Sequence, residues 1–304
     1  MKISKLILLA CVWGSIVSCE DLLDPKLTNE WSSETVWTNP DMAQAVLTQV
    51  YADLMVVPDH YDDNFLDAAT DNALTRNYGS SVYRASMGAF SRSTNPLGNW
   101  DNMYDKIQSI NLFMEKGVTD DVIYNRVSKE TDQAIKTRLL GEAYFLRAWT
   151  YLYLTNLYGG VPIVDKVYQL GDDYNIARSS YEDCIKFISE DCDKAAELLP
   201  LTHSGSNNGR ATKGAALALK SRILLYAASD LHNSFNFENY EKPEYLKYTT
   251  GSQNSRWKAA KDAAKAVIDM HLYDLFKANP SPTDSIAQNI TDLFLSLIHI
   301  SEPT

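Results

Sequence analysis

The pattern of apolar positions predicts a chain of helices, the most apolar of which runs from Gly141 to Tyr158. Apolar and aromatic side chains cover nearly its whole circumference: Ala143, Tyr144, Leu146, Ala148, Trp149, Leu152, Tyr153 and Leu157. A helix of this kind is buried between other helices. A Gly-Gly pair follows directly and ends it. Its internal cation, Arg147, must therefore have a partner, because burying an unpaired charge is costly.

Helical spacing of apolar residues predicts further helices at 40–55, from 100 or 101 to 116, and at 181–199, 211–229 and 255–270. The segment 161–176 is predicted to be irregular, with short strand character at 161–167. The segments 76–99 and 230–254 lack helical spacing and are rich in polar and aromatic residues. Long loops of this type in a helical protein are usually functional, so we expect ligand contacts there.

Two of the predicted helices have similar sequence patterns, which indicates an internal repeat. The run from Gly141 to Ala148 aligns with the run from Gly214 to Ser221, and Tyr153 falls opposite Tyr226. The offset is close to two tetratricopeptide (TPR) periods of about 34 residues each. The alanine-rich stretch 257–268 fits as a further member. The sequence thus predicts an all-α, mainly helical fold of TPR-like stacked hairpins with long irregular loops.

Residues 1–18 have the parts of an export signal. Lys2 and Lys5 form a charged start, and an apolar run too short to span a membrane follows. The run ends in a small residue before Cys19, a pattern that resembles a lipobox, in which the cysteine sulfur takes a lipid. We therefore expect residues 19–38 to form an extended lipidated tether on an otherwise soluble body. The alternative is a secreted protein with an ordinary signal and an unmodified cysteine.

The other two cysteines of the mature chain, Cys184 and Cys192, lie in one predicted helix. Their spacing of eight residues separates them by about 12 Å along the helix axis, which is too far for a disulfide. We expect both to be small buried apolar residues. No Cys/His spacing in the sequence is typical of a zinc site.

The overall composition narrows the ligand class. The 304 residues carry a formal net charge of −11, which disfavours nucleic acid because phosphate binding needs clustered Lys and Arg. Tyrosine is abundant, with 18 copies. Its ring can be buried while its hydroxyl stays wet, which suits contact with carbohydrate or protein. The alternative is that the tyrosines fill seams between helices.

The segment 78–100 carries the residues expected to bind a sugar. Sugar rings stack their C–H faces on aromatic side chains, and their hydroxyls need planar donors and acceptors. The candidate glycan-binding residues are Tyr78, Tyr83 and Trp100 as platforms, with Arg84, Arg92, Asn95 and Asn99 as polar partners. Trp100 could instead be a core anchor, since it stands at a helix start. The loop 233–248 is a second candidate platform.

No catalytic motif is found in the sequence: it has no nucleophile elbow, P-loop, zinc-protease motif or dinucleotide fingerprint. We therefore predict a non-enzymatic protein that needs no cofactor and no metal. A cluster of aspartates flanks the aromatic segment, so a glycoside hydrolase is left as an alternative. The cluster consists of Asp62, Asp63, Asp71, Asp101 and Asp105.

Several motifs resemble the SusD/RagB family, nutrient-binding outer-membrane lipoproteins of Bacteroidetes. The strongest are Ala-Tyr-Phe-Leu-Arg-Ala at 143–148 and Leu-Tyr-Gly-Gly-Val-Pro at 157–162. Weaker matches are Glu34, Trp37 and Ala43, the run 66–75, and the spacing from Trp100 through Tyr104 and Ile107 to Asn111.

The resemblance implies a TPR-like helical fold and capture of oligosaccharide or another nutrient at the cell surface. It also implies delivery to a SusC-like TonB-dependent transporter in the outer membrane. The acidic residues that follow Cys19 resemble a signal for the outer face of that membrane. A TPR-like scaffold or peptide-binding lipoprotein is the alternative.

The resemblance covers residues 1 to about 290. Within them, residues 39–290 are expected to form an incomplete SusD-like domain, because family members are longer. The final stretch, 296–304, resembles translated sequencing-adapter read-through and is expected to be non-native.

Overall fold

The computed structural model describes residues 33–55, 60–61, 64–91, 93–169, 171–238, 240–274, 285–286 and 288–292. The expected signal peptide, Cys19, most of the tether and the stretch 296–304 lie outside these residues. The helices are α1 (Ser33–Thr38), α2 (Pro40–Met55), α3 (Ser81–Ser86), α4 (Trp100–Lys116), α5 (Lys129–Tyr158), α6 (Tyr181–Leu198), α7 (Lys213–Ala228) and α8 (Gln253–Ile268), with a further helical stretch at 288–292.

The fold is all-α, as predicted. The strands in the described part of the chain are β1 (His60–Tyr61) and β2 (Asn64–Phe65), which form one short antiparallel hairpin. Helix α5 packs against α4 and α6, α6 against α7, and α7 against α8, so consecutive helices stack in chain order. The two hairpins α5–α6 and α7–α8 give the TPR-like arrangement that the repeat predicted.

The repeat is visible in the packing of two glycines. A Cβ at Gly141 on α5 would approach Leu198 and Leu199, at the end of α6, to 3.0 Å. A Cβ at Gly214 on α7 would approach the hydroxyl of Tyr273, just beyond α8, to 2.0 Å. In both hairpins a glycine thus allows the first helix to pack closely against the end of the second.

The buried cation of α5 is paired, as its burial required. Arg147 binds Asp191 on α6 through two hydrogen bonds, Nε to Oδ2 at 2.7 Å and Nη2 to Oδ1 at 2.9 Å. Its Nη1 donates to Asn111 Oδ1 on α4 at 2.8 Å. The guanidinium also lies over the ring of Phe187, 5.0 Å from its centroid. This network connects the three central helices.

The segment 161–167 does not have the predicted strand character, because side chains bind its backbone in place of a neighbouring strand. Tyr104 donates to the carbonyl of Pro162 at 2.7 Å, and Asn111 donates to the carbonyl of Val164 at 2.9 Å. The amide of Val164 donates to the hydroxyl of Tyr151 at 2.7 Å. The apolar side chains of Val161, Ile163 and Val164 pack in the same cluster as residues of α4 and α5.

Two other expectations also differ from the structure. The last residues of the expected extended tether form α1, because Trp37 packs edge-on against Phe113, with ring centroids 6.5 Å apart. Part of the loop 76–99 forms the short helix α3. The hydroxyl of Ser80 begins this helix by accepting from the amide of Tyr83 at 3.1 Å.

Cys184 and Cys192 are free and buried, as expected. Burial raises the pKa of the Cys184 thiol to about 11 and that of Cys192 to about 12, so both thiols are protonated and unreactive. Among the described residues, no helix combines the length and hydropathy needed to cross a bilayer.

Candidate functional site

Trp100 is both packed and exposed, at the first position of α4. The centroid of its ring lies 5.0 Å from that of Tyr158, with the two ring planes at 85°. The ring centroid of Tyr104 lies 4.9 Å away, with the planes at 40°. The side chain keeps 38% of its surface exposed. Neighbouring rings therefore fix the indole, as a core anchor requires, while part of it stays in solvent, as a binding platform requires.

The end of α5 positions this ring. Tyr158 is the last residue of α5, and its hydroxyl accepts from the backbone amide of Asn99 at 3.1 Å. A Cβ at Gly98 would approach that hydroxyl to 2.7 Å, so a glycine allows the loop to lie against it. Burial raises the pKa of Tyr104, which stays protonated and donates to Pro162. We call the three contacting rings of Trp100, Tyr104 and Tyr158 the Trp100 group.

Tyr78 and Tyr83 form a separate aromatic pair. Their ring centroids are 5.1 Å apart with the planes at 75°, and Tyr78 keeps 71% of its surface exposed. Arg84 is exposed beside them and donates from Nη2 to the hydroxyl of Ser81 at 3.3 Å. The short helix α3 and the turn before it thus bring two rings and an exposed guanidinium together at the surface.

The remaining predicted polar partners differ in role. The side-chain oxygen of Asn95 accepts from the amide of Leu97 at 3.1 Å, so this residue shapes the turn before Trp100. Asn99 is partly buried directly before α4, and its side chain makes no capping bond there. Arg92 lies outside the described residues.

The second candidate platform also meets the end of α5. Arg178 donates to the carbonyls of Tyr158 and Gly160, and its guanidinium lies 4.5 Å from the ring centroid of Tyr245. The amide of Gly160 donates to the carbonyl of Tyr245 at 2.6 Å. Sequence reasoning missed Arg178, because nothing in its local pattern indicates that it binds a helix C-terminus.

The carboxylates near the aromatic segment that the structure describes all lie at the surface. Asp71, Asp101 and Asp105 are exposed, and Asp62 and Asp63 lie outside the described residues. In the described part of the chain, no group of three or more His, Cys, Asp or Glu side chains is arranged to hold a metal ion. The arrangement presents aromatic faces and polar partners, which suit binding.

Comparison with known proteins agrees with this architecture. A SusD-like family model, described as starch-binding and associating with the outer membrane, matches residues 22–225. SusD-like protein P38 of Formosa agariphila is 25% identical over 235 residues, which cover 74% of this chain and 42% of that protein. A SusD-like protein of Bacteroides ovatus is 25% identical over 131 residues, covering 43% of this chain and 22% of that protein. This chain therefore spans less than half the length of these relatives.

Solved structures show the same fold. A SusD-like protein of Bacteroides fragilis is 26% identical with a TM-score of 0.56, and the match covers 81% of this chain and 41% of that one. A laminarin-binding SusD-like protein is 24% identical with a TM-score of 0.54, covering 62% of this chain and 41% of that one. Because the family model matches more than half of its residues, the chain belongs to the SusD-like family.

Proposed function

We propose that this protein is a cell-surface lipoprotein that captures oligosaccharide without cleaving it. The observation that carries the proposal is the exposed indole of Trp100, which Tyr104 and Tyr158 hold in place. A preorganised aromatic face binds a sugar ring at little entropic cost. Tyr83 and Arg84 on α3, with Tyr78 shortly before it, supply further rings and a donor.

The family description and the structural neighbours support a glycan as the ligand. The family model is described as starch-binding, and one neighbour of the same fold is named for laminarin. Both are neutral glucose polymers, and the net charge of −11 fits a neutral ligand better than an anionic one. The substrate class of the proposal is therefore a neutral oligosaccharide.

The proposal includes an anchor and a partner. A lipid on Cys19 would hold the protein at the outer membrane, and the bound sugar would pass to a SusC-like TonB-dependent transporter. The family description, with its association to the outer membrane, supports this location. Transfer requires only that the protein dock on the transporter with its sugar site facing the transport path.

Calorimetric titration with a panel of neutral oligosaccharides and control peptides tests the function. We expect a heat of binding when one of the oligosaccharides is added. Chromatography of the same mixture should show no shorter products. Heat from peptides alone would instead support the TPR-like scaffold, and release of shorter sugars would support a glycoside hydrolase. Co-purification from membranes tests the partner, since a SusC-like transporter is expected to copurify with the tagged protein.

A further inference from the structure

The loop between α7 and α8 carries an aromatic depression of about 520 Å³. The residues that line it are Phe235, Asn236, Phe237, Glu238, Tyr240 and Leu246. Phe235 and Phe237 meet edge to face, with centroids 4.9 Å apart and planes at 62°. Phe235 keeps 52% of its surface exposed and Tyr240 keeps 38%. Exposed rings grouped around a depression cost solvation free energy unless a ligand covers them.

The base of this loop is fixed by contacts with the helices. His232 stacks on Tyr181 of α6, with centroids 4.1 Å apart and planes at 13°. Its Nδ1 hydrogen-bonds the carbonyl of Leu246 at 2.7 Å, and its own carbonyl accepts from the amide of Tyr248 at 2.9 Å. The two ends of the loop are therefore joined, as in the compact loops that often carry function.

A further bond fixes the first ring of the depression. Lys247 donates from Nζ to the carbonyl of Phe235 at 2.8 Å, across the loop. The amide of Phe235 donates to the carbonyl of Asp230 at 2.9 Å. The backbone that carries Phe235 is thus held from both sides, and a ring held in this way loses little freedom when a ligand stacks on it.

A series of contacts links the depression to the Trp100 group. Trp100 meets Tyr158, and Arg178 donates to the carbonyl of Tyr158 while it lies over the ring of Tyr245. Tyr245 directly precedes Leu246, which lines the depression. The C-terminus of α5 therefore contacts both aromatic groups.

We infer that Phe235, Phe237 and Tyr240 form a second subsite, which holds the far part of an oligosaccharide whose other end stacks on Trp100. The inference rests on the proposed function and extends it from short sugars to chains of several rings. The aromatic side chains supply stacking faces, and Asn236 and Glu238 supply acceptors for sugar hydroxyls. A neutral glycan suits this lining, because an anionic chain would meet the carboxylate of Glu238.

Calorimetric titration with maltoheptaose and laminariheptaose tests the subsite. The variants are Phe235→Ala, Tyr240→Ala and Trp100→Ala, with Leu231→Ala as the control for loss of an equally exposed apolar side chain nearby. For the heptasaccharide that the wild-type protein binds, we expect one sugar per protein. We also expect about a tenfold loss of affinity in Phe235→Ala and Tyr240→Ala, and no change in Leu231→Ala.

The outcomes separate this inference from the proposed function. Wild-type affinity in both Phe235→Ala and Tyr240→Ala, together with weakened binding in Trp100→Ala, would overturn the second subsite alone. Two sugars per protein would contradict a single spanning ligand. Binding of neither heptasaccharide by the wild-type protein would contradict the proposed function and this inference together. Circular dichroism of each variant checks that its helices are intact.

Discussion

Arg147 on α5 and Asp191 on α6 form a buried ion pair with two parallel hydrogen bonds of 2.7 and 2.9 Å. Asn111 extends it by accepting from Arg147 and donating to the carbonyl of Val164. Helices α4, α5 and α6 and the segment after α5 thus meet in one polar network. In the described part of the chain, every buried side-chain nitrogen and oxygen atom has a hydrogen-bond partner.

Removing one member of this pair is expected to destabilise the protein strongly. We predict that Arg147→Met lowers the free energy of unfolding by about 3–5 kcal/mol, because Asp191 is left buried without its partner. Urea denaturation followed by circular dichroism measures this change. The double variant Arg147→Met/Asp191→Leu should recover most of the loss, because both charges are gone. A single variant as stable as the wild-type protein would contradict this prediction.

Gly160 is expected to tolerate no side chain. A Cβ there would lie 2.2 Å from the carbonyl oxygen of Ser179 and 2.8 Å from the amide nitrogen of Tyr181, both of which are backbone atoms. We predict that Gly160→Ala lowers the free energy of unfolding by on the order of 3 kcal/mol, because the start of α6 must shift.

Gly79→Ala is the matched control for this substitution, because the nearest atom to a Cβ at Gly79 is a side-chain oxygen at 3.6 Å. Thermal unfolding compares the two variants with the wild-type protein. Equal melting temperatures for both variants would show that the end of α5 is not closely packed on α6.

The sequence predicted α2, α4 and the end of α5 well, because helical spacing and stop signals are local. It predicted that Arg147 needs a partner, but Asp191 lies 44 residues away and only tertiary packing brings it near. It could not predict that Tyr104, Asn111 and Tyr151 would bind the segment after α5, and so it assigned strand character there.

Trp100, Tyr78 and Tyr83 could be proposed as ligand contacts because aromatic residues in a polar segment are visible in the sequence. Their role in binding stays a prediction. Ion pairs between distant residues could not be predicted in this way. One example is the fully buried Glu142, whose carboxylate lies 2.8 Å from the guanidinium of Arg210 in the loop before α7. Such pairs depend on how helices dock and leave no mark in local spacing.

The protein is expected to become less stable at acidic pH, because His232 lies at the base of the loop that holds the second subsite. Burial lowers the pKa of His232 below its usual value, so the unfolded chain takes up a proton that the folded protein resists. The free energy of unfolding should therefore fall as the pH falls below about 6.5, the ordinary pKa of histidine. This loss continues down to the folded pKa, below which both states are protonated.

Denaturation at several pH values between neutral and mildly acidic measures this effect. His232→Phe keeps a ring against Tyr181 and removes the titrating group, so its stability should depend less on pH in that range. His271→Asn is the control, since His271 is exposed. An unchanged pH dependence in His232→Phe would rule out His232 as the cause.

The proposed membrane anchor at Cys19 requires a covalently attached lipid. Metabolic labelling with palmitate is expected to mark the wild-type protein, and Cys19→Ala should be unmarked and released from the membrane fraction. A lipid on Cys19 would supply the hydrophobic burial that holds the folded domain at a bilayer. An unlabelled wild-type protein, or a Cys19→Ala variant that still fractionates with membranes, would show that the anchor lies elsewhere.

The most direct test of glycan capture by ring stacking is titration of the best-bound oligosaccharide into the wild-type protein, Trp100→Phe and Trp100→Ala. We predict that Trp100→Phe binds within about threefold of the wild-type protein, and that Trp100→Ala loses about tenfold, or ~1.4 kcal/mol, because the stacking face is gone. Equal affinities in all three proteins, with unchanged melting temperatures, would contradict a role for Trp100 in holding the sugar.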